Sequence, residues 1–448
     1  MTLPDGPQSA PLCQMAQWIF RPLEFLEVCD RTYGEAFTLR MNKNTRPLVF
    51  FSAPDAIEQI FSAPLKQFDS GKGNSVLKPF LGKRSIEILD GRKHERQRQL
   101  LMPPFHGAKM RQFGQMMGDI TTDVGKQWGI NHPFKARPQV HLITFRLMCK
   151  TLLGFDQGDR FEQIRQLYDI LFDNAIGSPL NSFQLFLPSL QVDLGQWSPW
   201  GRFARAREEL DRVLFEEIRD RRAAFDPERN DMLTMLMAAQ DEKGEPLQDE
   251  DLHSEIKTLL LAAHETIAIA ITWALYWVHT APGVLAKVRQ ELDDLGLSPD
   301  PLEVSKLPYL TAVCQETLRI YPVGLISFPR IAKSPLEIAG YTLPKGTVIT
   351  GCIYLTHQRP DLYPEPKSFR PERFLERQFS PYEYFPFGGG SRRCMGGAFA
   401  PFAMKVVVAQ ILAGLDLEVL NHRPVRPIRR GVTTAPKGGV SMVVRKRR

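Results

Sequence analysis

The sequence predicts a mainly α protein with a smaller β-rich region, an α+β chain, on three observations. Apolar residues recur at helical spacing through most of residues 107–225 and again from Met232 through Leu318, as in Ile164, Leu167, Ile170, Leu171 and Phe172. Strand-like runs are confined to a stretch near the N-terminus and to the turn-rich part beyond residue 325. The one long apolar run, Leu259 to Val278, approaches the ~20 residues that cross a bilayer, but His264, Glu265 and Thr266 interrupt it. Ionisable groups are costly in a lone spanning helix, so the run reads as a buried core helix that lines a cavity.

Composition narrows the class. The 448 residues are 43% hydrophobic and 24% charged, the balance of a globular chain with an extensive core. One domain over 1–448 is expected, its β-rich lobe mainly 30–60 and 325–360 and its helical lobe mainly 90–320 and 394–415. A net charge of +7 is too diffuse for nucleic acid, and no basic-aromatic stripe occurs, although a local basic docking face fits it. Six scattered cysteines with no Cys-x-x-Cys pair argue against a disulfide framework or a zinc ribbon and fit a reducing cytoplasm. Met1 to Phe20 has no Lys or Arg and carries Pro4, Pro7 and Pro11, so neither a signal peptide nor a membrane anchor is expected.

In chain order, Glu35–Met41 and Pro47–Phe51 read as strands joined by a turn over 42–46, and Pro54–Phe61 as a short helix. Gln67 to Asp90 reads as a long connection containing Gly71, Gly73, Gly82 and the apolar patch Val76, Leu77, Phe80 and Leu81. Arg92–Leu101 is a basic helix closed by Pro103-Pro104, with His94 and Arg98 on one face. Phe172 to Pro199, with Phe183, Phe186, Leu187, Leu190 and Trp197, is an aromatic interruption between helices. Gln248-Asp249-Glu250 gives an acidic first turn to a helix over 251–280, which Pro282-Gly283 ends. Another helix spans 398–415.

Chemistry concentrates in Phe387-Gly388-Gly389-Gly390-Ser391-Arg392-Arg393-Cys394-Met395-Gly396. Two cations, free N–H groups and a following helix N-terminus favour a thiolate at Cys394. Gly388 to Gly390 leave the backbone free to pass under a flat ligand. Phe387, Gly390, Arg392, Cys394 and Gly396 reproduce Phe-x-x-Gly-x-Arg-x-Cys-x-Gly, so this stretch resembles the haem-binding loop of the cytochrome P-450 family. The resemblance implies that Cys394 is the axial ligand of haem iron, that Arg392 pairs with a haem propionate and that Phe387 packs beside the sulfur. It implies the same propionate role for His94 and Arg98, with Arg330 as a third partner. The cofactor implied is haem b, iron protoporphyrin IX, lying between the cysteine loop and the long helix.

On that helix, Ala262-Ala263-His264-Glu265-Thr266 resembles the family's Ala/Gly-Gly-x-Asp/Glu-Thr motif, with Ala263 in place of the usual glycine. A threonine hydroxyl bonded back to the carbonyl of Ala262 loosens the helix ladder and opens a groove, small residues at 262 and 263 admit O2, and Glu265 with Thr266 supplies an acid and an alcohol to deliver protons. A His-Glu-x-x-His zinc site fails because position 268 is alanine.

Glu316 and Arg319 stand three apart on one helical face, and Pro371-Glu372-Arg373-Phe374 offers a second arginine. By resemblance, Glu316, Arg319 and Arg373 form a buried network that fixes the backbone below the haem. The resemblance also makes Gln67–Asp90, with Phe80 and Leu81, a cap over substrate and Phe172–Pro199 a lid. It turns Val323, Leu325, Ile326, Thr433 and Thr434 toward the pocket. The expected function is a soluble, cytoplasmic monooxygenase acting on a hydrophobic molecule such as a fatty acid, terpenoid or steroid, with O2 as co-substrate. No dinucleotide fingerprint occurs, so electrons are expected from a ferredoxin or flavodoxin with an NAD(P)H-dependent reductase, docked near Arg96, Arg98, Arg393 and Lys405. The alternatives are a peroxide-driven peroxygenase or rearrangement enzyme, and a non-catalytic haem or gas sensor.

Overall fold

The computed structural model describes residues 3–41, 46–102, 109–175, 177–241, 244–296, 299–420 and 423–448. Helices α1 (Pro11–Phe20), α2 (Pro22–Tyr33) and α3 (Pro54–Ser62) each begin on a proline, whose fixed φ suits a first turn and whose missing N–H is not needed there. Between α2 and α3 run β1 (Ala36–Leu39) and β2 (Leu48–Phe51), antiparallel, with Ala36 opposite Phe51. Residues 42–45 of the expected turn lie outside the described residues.

The 67–90 connection is not one loop. It is a series of short pieces: β3 (Phe68–Asp69), α4 (Ser70–Gly73), a 3-10 turn at Ser75–Leu77 and α5 (Lys78–Leu81). Close backbone approach makes this possible, since a Cβ on Gly71 would stand 2.1 Å from the Ile88 carbonyl oxygen and one on Gly73 2.2 Å from that of Pro329. The basic helix follows as α6 (Gly91–Leu101); the prolines at 103 and 104 expected to end it lie outside the described residues.

Next come α7 (Lys109–Lys126), the short β4 (Phe134–Lys135), α8 (Ala136–Leu153), α9 (Asp159–Ala175), α10 (Pro179–Phe186), α11 (Pro199–Ala223) and α12 (Met232–Ala238). Side-chain oxygens of Ser178, Ser198 and Asp231 accept backbone N–H bonds at the starts of α10, α11 and α12, which is why these helices begin where they do. The interrupted apolar run forms α13 (Asp249–Thr280), about 48 Å long at 1.5 Å per residue. Its most apolar window is 83% buried, and it packs on α8 and α11 and on two later helices, α16 (Pro308–Ile320) and α19 (Phe399–Gly414). It is therefore the axis of the main core.

Between and beyond these lie α14 (Val284–Leu295), α15 (Pro301–Val304), β5 (Arg330–Ala332), β6 (Leu336–Ile338), β7 (Tyr341–Leu343), β8 (Val348–Gly351), α17 (Ile353–His357) and α18 (Arg373–Glu376). The chain closes with β9 (Leu415–Val419), β10 (Pro427–Arg430), β11 (Thr433–Pro436) and β12 (Ser441–Arg447). One sheet has the order β1-β2-β8-β5-β3, with β2 and β8 parallel, so distant parts of the chain close the β-rich lobe together. Its two faces bury separate clusters, Val49, Phe51, Ile57 and Ile349 on one side and Trp18, Phe37, Phe50 and Leu325 on the other. Each such side chain contributes roughly 1.5–3 kcal/mol on burial.

Candidate active site

Three segments converge beside α13. The cysteine loop makes a 3-10 turn at Gly390–Arg392, presents Cys394, and makes another at Met395–Gly397 before α19 begins. The three glycines have a physical reason the sequence reading did not give. Gly388 and Gly390 have φ of 64°, and a Cβ on Gly389 or Gly390 would stand 2.1 Å from the Phe61 ring or 2.3 Å from the Phe61 carbonyl oxygen. They let the loop pass tightly over the end of α3, and the Cys394 N–H closes the turn on the Phe387 carbonyl at 3.0 Å.

The Cys394 side chain is accessible although protein surrounds it. Burial, helped by the charge of Glu87, pushes its thiol up to about 11, against the Gly396 N–H, Arg98 and Arg393. The Gly396 N–H, Arg98 and Arg393 favour the anion against that desolvation, and an iron bound to the sulfur would stabilise it as the thiolate.

Around the cysteine stand His94, Arg98, Arg330 and Arg392, close enough that their charges act on one another or on the sulfur. His94 is buried with Nδ1 unpartnered, and burial, then Arg392 and Arg98, pushes its pKa down to about 3, so the imidazole is neutral. Arg330 is 3% exposed and donates to the carbonyls of Ile60 and, at 3.0 Å, Gly389. Burial and then Arg392 push it down to about 10. Arg392 donates to Asp90 at 2.9 Å and to the Ile86 carbonyl at 3.2 Å, leaving Nε unpartnered. Arg98 is half-buried, and burial lowers its pKa. Such a concentration of buried cations and orphaned donors is unfavourable alone, and it fits a flat ligand with anionic arms above a sulfur donor.

On α13 the Thr266 hydroxyl donates to the Ala262 carbonyl at 2.7 Å, with Ala263 O at 3.2 Å. Ala262 is accessible and Ala263 and Thr266 partly so, in a helix otherwise buried from Leu252 to Tyr276, so these three residues mark its open face. Glu265, the neighbouring residue round the helix, is 5% exposed and held by three groups: Arg137 Nη1 at 3.1 Å, Arg430 Nε at 3.1 Å and His141 Nε2 at 3.5 Å. Burial would raise its pKa, but Arg137, His141 and Arg430 together hold it below the usual carboxylate range. The adjacent acid and alcohol therefore face different surroundings.

The scaffold residues are brought together. Arg319, fully buried, donates to both oxygens of Glu316 at 2.7 and 2.9 Å, Arg373 adds Nε at 3.1 Å, and the Arg370 N–H a fourth bond at 2.9 Å. Arg319 also donates to the His357 carbonyl at 2.7 Å, tying α16 to the segment after β8.

Several expected pocket residues are turned elsewhere. Leu325, 1% exposed, packs in the core of the N-terminal helices with Phe50, Cys352 and Tyr354, and its carbonyl accepts the Tyr354 N–H at 3.1 Å. Thr434 is 1% exposed and spends its hydroxyl on the Pro322 carbonyl at 2.9 Å. Phe80 and Leu81 are buried, with the Phe80 ring 4.6 Å from that of Phe203 on α11; Phe80, Phe203, Leu210 and Leu261 line a small cavity. Val323, Ile326 and Thr433 keep partial exposure. Lys405 is no docking cation, since burial draws its ammonium onto the Ser305 carbonyl and Thr311 Oγ1. Arg96 is ion-paired with Asp241 at 2.6 Å, while Arg393 stays exposed.

Sequence reasoning missed Asp90, Glu87 and the cation cage of Glu265. Only the i, i+4 spacing of Arg137 and His141 hinted at the last, and nothing local tied it to a residue 124 or more positions away.

A Phe-x-x-Gly-x-Arg-x-Cys-x-Gly loop, a helix whose open face carries the Thr266-to-Ala262 bond, and a buried network of Glu316, Arg319 and Arg373 together define the haem-thiolate monooxygenase class. The Cytochrome P450 family model matches residues 4–442, and the chain belongs to that family. It is 35% identical over 449 residues to the provisionally named cytochrome P450 135B1 of Mycobacterium tuberculosis, covering 99% of this chain and 92% of that protein. It is 30% identical to the similarly named cytochrome P450 138 of Mycobacterium bovis, covering 99% and 97%. Among solved structures, the retinoic acid-bound cyanobacterial CYP120A1 superposes with a TM-score of 0.85 at 25% identity, over 100% of both chains. The chain is a bacterial-type P450 monooxygenase, an oxidoreductase that uses haem and O2.

Proposed function

We propose that this chain, as a single domain, uses haem b to hydroxylate or epoxidise a hydrophobic small molecule, a fatty acid, terpenoid or steroid, in the cytoplasm. Haem held by a cysteine thiolate supplies O2 activation and transfer of one oxygen atom to the substrate. The observation that carries the reading is the set of donors gathered about Cys394: His94, Arg330 and Arg392, all buried, and the half-buried Arg98. Cys394 would be the axial ligand, these four would hold the propionates, and Gly390, Phe387 and Gly396 would shape the loop. The retinoic acid of the cyanobacterial structure is itself a terpenoid, which supports that part of the substrate class.

The proton path follows from the two environments on α13. Glu265 is held as the carboxylate by Arg137, His141 and Arg430, so it would join a proton relay only when one of these partners lets it go. Thr266, on the open face, has its proton on the Ala262 carbonyl and presents its oxygen as acceptor, so it orders water and passes protons inward. Glu316, Arg319 and Arg373 hold the strands and loop rigid and take no part in chemistry.

Electrons would come from a ferredoxin or flavodoxin with its NAD(P)H-dependent reductase, near Arg393 and Arg98. A peroxide-driven reaction would leave the Glu265–Thr266 pair without a task. Product formed with NAD(P)H, ferredoxin and reductase, against product formed with hydrogen peroxide alone, tests this; a peroxide reaction that outpaces the reconstituted system contradicts it.

A further inference from the structure

The two oxygens of Glu265 keep different company. Oε1 accepts from Arg137 Nη1 at 3.1 Å and from Arg430 Nε at 3.1 Å, while Oε2 has Arg137 Nη1 at 3.2 Å and faces His141 Nε2 at 3.5 Å. Two of the three partners are guanidinium groups, which stay charged at any working pH. The imidazole is the one that can give up a proton near neutrality. Oε2 is therefore the oxygen on which a proton can land.

The sequence of α8 puts the imidazole there. Arg137, His141 and Thr144 stand at i, i+4 and i+7, one stripe of the helix, and the stripe meets two consecutive residues of α13. Arg137 and His141 reach Glu265, and the Thr144 hydroxyl donates to the His264 carbonyl at 3.0 Å. The His141 side chain is 19% exposed against 5% for Glu265, so it meets solvent where the acid does not. Among the described residues, the charged and titratable groups about it are Glu265 and His264 on α13, Arg137 on α8, Arg430 on β10 and, behind His264, Tyr168 on α9. Glu265 favours the imidazolium and the two arginines oppose it. Burial keeps His264 and Tyr168 uncharged.

We propose that His141 recharges Glu265 with protons from solvent: the imidazolium passes its Nε2 proton to Oε2, the carboxyl passes one on to water held by Thr266, and the neutral imidazole takes another from outside. One proton enters and one leaves at each passage, and two passages supply the two protons that turn one atom of O2 into water. Giving up its charge also loosens the hold of His141 on Glu265. His141 acts only through Glu265, and the proposal rests on the reading of Glu265 and Thr266 as the proton path.

The first test is a nuclear magnetic resonance titration of the reduced, carbon monoxide-bound protein with 15N-labelled histidine. One ring of the nine is expected to titrate between about pH 5 and 8 and to lose its proton at lower pH in Glu265→Gln, where the anion beside it is gone. No titrating ring that responds to Glu265→Gln overturns the proposal. The second test follows product from palmitic acid and from retinoic acid with NAD(P)H, ferredoxin and reductase. The wild-type rate is expected to fall as pH rises through the imidazole range, because the donor is lost above its pKa. His141→Gln should be slower by about a hundredfold at low pH and lack that fall. Product driven by hydrogen peroxide, which bypasses the relay, should be unchanged. A wild-type rate in His141→Gln, a pH fall that survives there, or an equal loss in the peroxide reaction overturns the proposal. The titration needs neither substrate nor a His141 variant, so an unsuitable probe or a misfolded His141→Gln leaves it decisive. Uncoupling in Thr266→Ala beside a wild-type rate in His141→Gln would sink this entry point alone; Thr266→Ala behaving as wild type would sink the proton path itself.

Discussion

Arg319 donates to both carboxylate oxygens of Glu316, at 2.7 and 2.9 Å, with neither side chain exposed to solvent. Removing the acid strands two guanidinium groups in the core, because Arg373 leans on the same carboxylate. Glu316→Ala is expected to cost about 3–5 kcal/mol and to yield protein that incorporates little haem. Denaturant unfolding and haem content check this; a variant that keeps full haem occupancy contradicts the structural role.

Gly390 is expected to tolerate no side chain. A Cβ there meets the Phe61 carbonyl oxygen at 2.3 Å at a φ of 64°, so Gly390→Ala should destabilise by about 2 kcal/mol or more. Gly414→Ala, where nothing lies within 4 Å, serves as the control in the same thermal melts.

Thr266→Ala should leave stability and the carbon monoxide spectrum intact while product per NAD(P)H falls, with hydrogen peroxide released in its place. A drop of about a hundredfold in product rate matches loss of a hydroxyl that orders the proton-delivering water. Thr266→Ser, which keeps the hydroxyl, should restore most of the coupling, read by simultaneous NAD(P)H, product and peroxide assays.

His264 sits inside a box of four rings, His141, Phe145, Tyr168 and Phe172, with centroids 4.9, 5.3, 5.2 and 5.0 Å away. Burial first, then His141, pushes its pKa down to about 3. The unfolded chain protonates it near 6.5, so between about 6.5 and 3 the unfolded state binds the extra proton and stability falls as pH falls, by up to about 1.4 kcal/mol per unit. His264→Phe, which suits the box, should flatten the melting temperature profile between pH 6 and pH 4. An unchanged slope would show that another group sets it.

Where local pattern and tertiary placement coincide, the sequence was readable. The 251–280 helix, the strands at 35–41 and 47–51, and the backward bond from Thr266 to Ala262 all follow from spacing and from one side chain's own chemistry. The 67–90 connection and the inward turns of Leu325, Thr434 and Lys405 were not readable, because each depends on a neighbour far along the chain.

The most direct measurement is the reduced carbon monoxide difference spectrum of protein grown with ample haem precursor, for the wild type and Cys394→Ala. A far-red-shifted Soret band in the wild type that vanishes in the variant is the predicted result. A colourless wild type, or a band unchanged in Cys394→Ala, would contradict the account.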